Sequence, residues 1–217
     1  MTNQHYNLGR KMKDVYRESF LEHGVTPAAL GCPKGRQNLR FDALTRFIKP
    51  MEQVLDFGCG FGDLAAHLHE RGVDVNYSGC DVMGEFLDVA IKKHPNDYFF
   101  NINIGEKLKQ EYDVIICSGV FNFKYCDDNH VHTKTVFDTL EMLFESCKRL
   151  ISFDLLSSHV DFISPNSYHQ SIPQIVDFIT GKLSRRYLID HSYMPYEYAV
   201  HIFKDDVIDR SKNVFCN

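Results

Sequence analysis

The sequence predicts an α/β fold in which a mostly parallel, seven-stranded sheet is doubly wound by helices. Two observations favour it. From residue 51 onward, short apolar runs alternate with helical stretches, a pattern typical of repeated strand–helix units. The last two apolar runs are separated by too few residues for a crossover helix, so they must pair antiparallel. The final strand is therefore expected to run against the others.

The first fifty residues are predicted to form two helices. Apolar residues recur at three-to-four spacing from Tyr6 to Leu21, and Gly24 and Pro27 end that pattern. A second helix is expected over about 35–48 and ends before Pro50. Its predicted inward positions are Leu39, Leu44, Phe47 and Ile48. We expect these N-terminal helices to cover a ligand pocket.

The remaining elements follow from the alternation of patterns. Strands are predicted at 53–57, 76–81, 98–102, 114–118, 150–155, 186–191 and 198–203. Helices are predicted near 63–71, 84–94, 131–148 and 172–183. Neither a repeat nor a linker divides the chain, so we expect one domain over 1–217, with a helical lid (1–50) and an α/β core (51–217).

Composition narrows the classes of function. The 217 residues carry a formal net charge of -5, which disfavours a nucleic-acid partner. The N-terminal segment lacks the apolar core of a signal peptide, and no run approaches the ~20 apolar residues of a membrane span. We therefore expect a cytoplasmic protein without a membrane partner, as a monomer or homodimer. The seven cysteines form no CxxC pair and the histidines no HExxH motif, so reduced thiols and no metal are predicted.

A glycine-rich turn follows the first predicted strand and opens a helix. Its G-x-G-x-G spacing, formed by Gly58, Gly60 and Gly62, differs from the G-x-G-x-x-G of pyrophosphate-binding turns. Asp56 ends this strand and Asp81 ends the next, where a carboxylate accepts hydrogen bonds from ribose hydroxyls. The pattern indicates an adenosine-type ligand. The alternatives are a tight turn without ligand, and for Asp56 a carboxylate that caps nearby amides.

These residues resemble the class I S-adenosylmethionine-dependent methyltransferases. The first motif of that family is similar to residues 54–62, its acidic second-strand residue matches Asp81, and the element order is similar over 51–203. The resemblance implies a Rossmann-like methyltransferase fold and S-adenosylmethionine as cofactor. It implies cofactor contacts from Asp56, Gly58, Cys59, Gly60, Gly62 and Asp81, with Val82 and Met83 flanking the adenine.

Two regions depart from or extend the family pattern. In the region of the third strand, Asn101 and Asn103 stand where the family often has an acidic residue. An amide can still form a hydrogen bond with adenine, and Asn103 is therefore included in the predicted cofactor site. After the fourth strand, residues 118–123 occupy the position that lines the methyl-transfer site, and Ser118 joins the cofactor set. This segment is not the [DNS]-P-P-[YF] signature of amine-methylating DNA enzymes. Apolar packing at a strand end is the alternative.

The acceptor side carries weaker signals. Residues 157–170 follow the fifth strand toward the pocket rim, and we predict Asn122, Tyr168 and His169 as catalytic residues. If the acceptor loses a proton, His159, His169 or His191 would take it, although each is also an ordinary surface histidine. Arg40 is predicted to pair with a carboxylate of cofactor or substrate, or to be solvated. Candidate partners for a cation are Tyr6, Tyr16, Phe121, Phe123 and Tyr168.

Three functions are compatible with these residues. The first is methyl transfer from S-adenosylmethionine to an oxygen, nitrogen or carbon atom of a small molecule in biosynthetic metabolism. The second keeps the cofactor but cyclises or cleaves it without methyl transfer. The third is a methyltransferase-like, non-catalytic subunit that binds a partner protein through its aromatic N-terminal helix.

Overall fold

The computed structural model describes residues 3–32, 35–124, 126 and 128–204, with side chains from Gly9 onward. The helices are α1 (Asn3–His23), α2 (Gln37–Thr45), α3 (Asp63–Glu70), α4 (Gly84–Lys93), α5 (Asn129–Glu145) and α6 (Ile172–Phe178). A 3₁₀ turn (Pro27–Leu30) precedes α2, and a π-helical turn (Ile179–Leu183) continues α6. The strands are β1 (Gln53–Phe57), β2 (Asn76–Asp81), β3 (Tyr98–Asn101), β4 (Tyr112–Cys117), β5 (Cys147–Ser157), β6 (His169–Gln170), β7 (Tyr187–Asp190) and β8 (Glu197–Phe203).

The main sheet has the strand order β3-β2-β1-β4-β5-β8-β7. β8 pairs antiparallel with both β5 and β7, and the other pairs are parallel. The predicted seven-stranded, mostly parallel sheet with an antiparallel last strand is therefore confirmed. The two-residue β6, which pairs parallel with the end of β5, was not predicted because it is too short to show a pattern.

Successive side chains of each strand point to opposite faces of the sheet, and an apolar core lies on each face. Leu55 packs with Leu140 of α5 on one face, whereas its neighbour Val54 packs with Leu64 of α3 on the other. Both β1 side chains are fully buried. A sheet covered on both faces must be apolar on both, which explains the continuous apolar runs in the sequence.

The N-terminal segment covers the carboxyl ends of the strands, as predicted. Tyr16 of α1 packs edge-on against Phe86 of α4, with ring centroids 5.9 Å apart. One predicted inward position is corrected, because Leu39 is 49% exposed. Leu39 lies about 200° around the helix from the buried Phe41, and therefore on the opposite face of α2.

The described part of the chain contains no helix that is both long and apolar enough to cross a bilayer. The cysteines of the described residues form no disulfide with one another; they are Cys32, Cys59, Cys80, Cys117, Cys126 and Cys147. Cys216 lies outside the described residues.

Candidate active site

A cavity of about 620 Å³ lies beyond the carboxyl ends of β1, β2 and β4, under α1 and the 3₁₀ turn. This is the position at which open α/β sheets bind ligands, and the volume is within the ~300–1,000 Å³ range of small-molecule sites. The loops after β1 and β2 form what we call the cofactor half, and the loops after β4 and β5 form the acceptor half. Met12, Val15, Tyr16 and Ser19 of α1 close the cavity from above.

The glycine bend after β1 forms the floor of the cofactor half. Gly58, Gly60 and Gly62 all have positive φ values, of 79°, 54° and 78°. The N–H groups of Gly58 and Cys59 donate to the carbonyl of Cys80 at 2.8 and 3.0 Å, which ties the bend to β2. A Cβ on Gly58 would lie 2.6 Å from Cγ2 of Val120, the wall of the acceptor half. Glycine is needed here both for the backbone conformation and for this close approach.

Asp81 is fixed at the end of β2 by the same bend. Its Oδ2 accepts a hydrogen bond from the Gly60 N–H, and its Oδ1 accepts one from the Met83 N–H, both at 2.9 Å. Burial raises the pKa of the carboxyl, while these backbone donors act in the opposite direction. Each carboxylate oxygen has further acceptor capacity, and Asp81 lines the cavity. Its carboxylate is thus held rigidly where hydroxyl donors of a ligand would enter.

Asp56 lies deeper in the cofactor half and is 2% exposed. Its Oδ2 accepts a 2.7 Å hydrogen bond from the Tyr77 hydroxyl, whereas its buried Oδ1 has no hydrogen-bond partner among the described residues. Burial, with the nearby charges of Asp81 and Asp63, raises the pKa of Asp56 to about 7. Asp63 also lines this half of the cavity and is paired with Lys93 at 3.2 Å. The excess of carboxyl groups over cations here favours a ligand with positive charge.

The acceptor half is built from two loops that pair with each other. The Lys124 N–H donates to the Asn166 carbonyl at 2.8 Å, and the Tyr168 N–H to the Asn122 carbonyl at 3.0 Å. The Asn122 side chain lines the cavity. Its Nδ2 donates to Oδ2 of Asp154 at 2.5 Å, and its Oδ1 accepts from the Leu156 N–H at 3.2 Å. The amide of Asn122 is therefore fixed in orientation.

A buried ion network supports this half from below. Arg40 of α2 makes a bidentate pair with Glu197, with N–O distances of 2.8 and 2.6 Å, and its Nε lies 3.3 Å from Oδ2 of Asp154. The Tyr193 hydroxyl also donates to Glu197 at 2.7 Å. Asp154 is fully buried, and burial raises its pKa to about 6 although Arg40 opposes that shift. The network joins α2, β5 and β8 beneath the cavity.

Comparison with known proteins identifies the architecture. A family model described as a methyltransferase domain matches residues 55–150. A Mycobacterium tuberculosis protein named as a methyltransferase, Rv1506c, is 26% identical over 153 residues, which cover 70% of this chain and 92% of the relative. A Clostridium botulinum tRNA (guanine-N(7)-)-methyltransferase is 28% identical over 126 residues, 52% of this chain and 51% of that protein.

Among solved structures, the magnesium protoporphyrin IX methyltransferase of Synechocystis PCC 6803 with bound S-adenosylmethionine superposes with a TM-score of 0.63. The sequences are 14% identical, and the match covers 94% of this chain and 98% of that one. These matches support a class I S-adenosylmethionine-dependent methyltransferase. The predicted family, enzyme class and cofactor are thereby confirmed, while the individual site residues stay predictions that the comparisons do not test.

The methyltransferase cavity gathers most of the predicted cofactor residues. Those that line it are Arg40, Asp56, Gly58, Cys59, Gly60, Asp81, Val82, Asn103 and Ser118. Gly62 and Met83 do not line it. Gly62 precedes α3 and packs against His94, and the Met83 side chain is buried with Phe61 and Phe86. Arg40, predicted to pair with a ligand carboxylate, is instead held by two carboxylates of the protein.

Of the predicted catalytic residues, only Asn122 lines the cavity. The Tyr168 hydroxyl is bonded to Thr133 at 2.7 Å and to Gln170, and its side chain is buried. The His169 ring lies 2.7 Å from the Ser157 carbonyl and 3.0 Å from the Ser167 hydroxyl, and it lines a second cavity of about 410 Å³. The geometry therefore gives no support to a catalytic role for Tyr168 or His169.

The remaining predicted aromatic residues and histidines lie partly inside and partly outside the lining of the cavity. The aromatic candidates Tyr16, Phe121 and Phe123 line the cavity, whereas His159 and His191 lie outside its lining. His191 contacts the Pro195 carbonyl instead, at 3.2 Å. The side chain of Tyr6 lies outside the described residues.

Sequence reasoning missed His132, which lines the acceptor half from α5. Burial lowers its pKa to about 4, so the imidazole is neutral near pH 7. Its ring packs against Tyr168 with centroids 4.4 Å apart. The spacing of the residues in α5 could have revealed it. His132, Val136 and Leu140 follow one another at intervals of four residues and form one buried face of the helix, so a titratable side chain lies on an otherwise apolar face.

Proposed function

We propose that this methyltransferase transfers a methyl group from S-adenosylmethionine to an oxygen, nitrogen or carbon atom of a small molecule in biosynthetic metabolism. One observation carries the proposal. The roofed cavity has a carboxylate-lined cofactor half and, directly beside it, an acceptor half lined by Ser118, Asn122 and His132. A positively charged cofactor and a small acceptor would meet at the boundary between the two.

The residues of the cofactor half fit S-adenosylmethionine. Oδ1 of Asp56, which has no hydrogen-bond partner in the part of the chain that the structure describes, is a buried acceptor suited to a cationic N–H donor. A buried carboxylate without such a partner is costly. Asp81 offers its remaining acceptor capacity to ribose hydroxyls, and Val82 and Asn103 line the same side. When bound, the cofactor supplies a methyl group activated by its sulfonium.

On the acceptor half, the protein would act mainly by positioning. Holding a nucleophile at near-attack distance supplies ~7–11 kcal/mol, so general-base help is secondary. Asn122, fixed by Asp154 and the Leu156 N–H, is the rigid polar group that would orient the acceptor. The neutral imidazole of His132 would accept a proton if the acceptor must lose one. Helix α1 would exclude water from above.

A small acceptor is supported by the shape of the site. The 410 Å³ cavity shares Arg40, Leu156 and Ser167 with the main one, so an acceptor would reach the site through it. Residues of helix α1 line the cavity and leave less room for a polynucleotide at the site. The net charge of -5 and the three carboxyl groups of the cofactor half also oppose a phosphate backbone.

The test uses S-adenosylmethionine labelled in its methyl group and three fractions of a cell extract: small molecules, RNA and protein. We expect label in the small-molecule fraction, with S-adenosylhomocysteine as coproduct, and none with Asp81→Asn under the same conditions. Label that enters RNA or protein instead would overturn the small-molecule assignment. Release of methylthioadenosine without any fraction added would show that the enzyme cleaves its cofactor, because that product needs no acceptor.

A further inference from the structure

Three side chains with metal-ligating atoms converge outside the methyltransferase site. His69 lies near the end of α3, His94 directly follows α4, and Asp97 precedes β3. None of the three belongs to the lining of the 620 Å³ cavity. The sequence did not reveal the set because its members come from three separate elements.

The potential ligand atoms are close together. One atom from each of the three side chains lies within 4.8 Å of the other two. Nε2 of His69 is 3.6 Å from Oδ1 of Asp97, and the two imidazole rings lie 5.8 Å apart between centroids at an interplanar angle of 64°. Two ring nitrogens and one carboxylate oxygen thus form one cluster of potential ligand atoms.

Two polar atoms of this cluster are buried without a hydrogen-bond partner among the described residues. They are Nε2 of His94 and Oδ2 of Asp97, whose side chain is only 10% exposed. A buried polar atom without a partner destabilises the fold, because it has lost its hydrogen bonds to water. An ordinary ion pair between His69 and Asp97 uses only the other carboxylate oxygen, so it leaves both atoms unexplained.

We propose that His69, His94 and Asp97 form a binding site for a divalent transition metal of the zinc class, with water as the fourth ligand. Two imidazoles and a carboxylate are a donor set that such ions accept in tetrahedral geometry. Bonds of ~2.0–2.1 Å place tetrahedral ligand atoms ~3.3 Å apart, so the set must close by ~1–2 Å. The side chain of His69 is 49% exposed and can make this movement by rotation.

The position of the site predicts its effect. A Cβ on Gly62 would lie 2.9 Å from Cδ2 of His94, so the imidazole packs directly behind the last glycine of the cofactor bend. A metal here would join α3, α4 and β3 at that point. Because it would bind only the folded chain, it would raise the unfolding midpoint as its concentration rises.

The experiment titrates ZnCl₂ into the full chain after removal of metals by dialysis against a chelator. We expect one equivalent to bind with a rise in melting temperature, and affinity at least about tenfold weaker in His69→Gln and in Asp97→Asn. His69→Gln should fold normally because the side chain is exposed. The matched control is His130→Gln, an exposed histidine outside the cluster, which should bind zinc like the wild type.

Substitution with CoCl₂ separates this site from binding at cysteines. Nitrogen and oxygen ligands give visible d–d bands without the intense sulfur-to-cobalt charge-transfer absorption of thiolates. Absence of zinc binding, wild-type affinity in both His69→Gln and Asp97→Asn, or a thiolate spectrum would each overturn the proposal. None of these readouts depends on methyl transfer, so the result is independent of the proposed function.

Discussion

The two halves of the cavity are held in place by different physical means. In the cofactor half, backbone N–H groups and glycine conformations fix Asp81, and the participating residues lie within 25 positions of one another, from Gly58 to Met83. In the acceptor half, Asn122 and the wall around it depend on a buried ion network whose members are up to 157 residues apart. The cofactor half is thus a local structure, whereas the acceptor half exists only when the whole sheet is assembled.

The largest expected effect is on stability, from Arg40→Met. This change leaves Asp154 and Glu197 buried without their cation, and breaking a buried pair in this way costs about 3–5 kcal/mol. Urea unfolding measures the loss. Arg46→Met is the control, because Arg46 is 47% exposed in its pair with Asp190 and such surface pairs contribute about 0–1 kcal/mol. Similar losses in the two variants would show that the acceptor half does not depend on the network.

A smaller effect is expected from Gly58→Ala. The alanine must keep a backbone φ near 79°, which lowers the free energy of unfolding by about 1–2 kcal/mol. Its Cβ would also lie 2.6 Å from Val120, which lowers it by about 1–3 kcal/mol more. Gly72→Ala isolates the first contribution, since Gly72 has φ 66° and open space around it. The difference between the two free energies of unfolding therefore measures how tightly the halves meet. Equal losses would mean that Val120 moves aside at no cost.

The smallest expected effect is a pH dependence of stability from Asp56. Burial raises its pKa from 3.8 to about 7, so its contribution to stability is fully present below the ordinary pKa and is lost as the pH rises through 7. Asp56→Asn has no such titration. Between about pH 5 and pH 8, we expect the free energy of unfolding of the variant to rise relative to that of the wild type by on the order of 1 kcal/mol or more. The titration of Asp154 is common to both proteins and cancels in this difference.

A constant difference between the unfolding free energies of the wild type and Asp56→Asn over that range would contradict the pKa shift. It would show that the carboxyl group is solvated or compensated in the folded protein.

The contrast between the halves also explains what the sequence could predict. The strands, the antiparallel end of the sheet and the cofactor bend follow from apolar periodicity and from glycine and aspartate at strand ends, which are local features. Asp154 and Glu197 stand in strands that read as apolar, and only the fold reveals that Arg40 lies between them. Tyr168 and His169 are predicted from their position after β5, but hydrogen bonds to Gln170 and to the Ser157 carbonyl hold their side chains outside the lining of the main cavity.

We propose that the carboxylate of Asp81, held by the glycine bend, binds the ribose of the cofactor. Calorimetry with S-adenosylhomocysteine tests it most directly, with the wild type compared with Asp81→Asn, which keeps the shape but removes the charge. We predict clear binding to the wild type and affinity roughly a hundredfold weaker in the variant, since hydrogen bonds to charged groups are worth about 1.5–3 kcal/mol each. Equal affinity in two correctly folded proteins would show that Asp81 does not bind the cofactor.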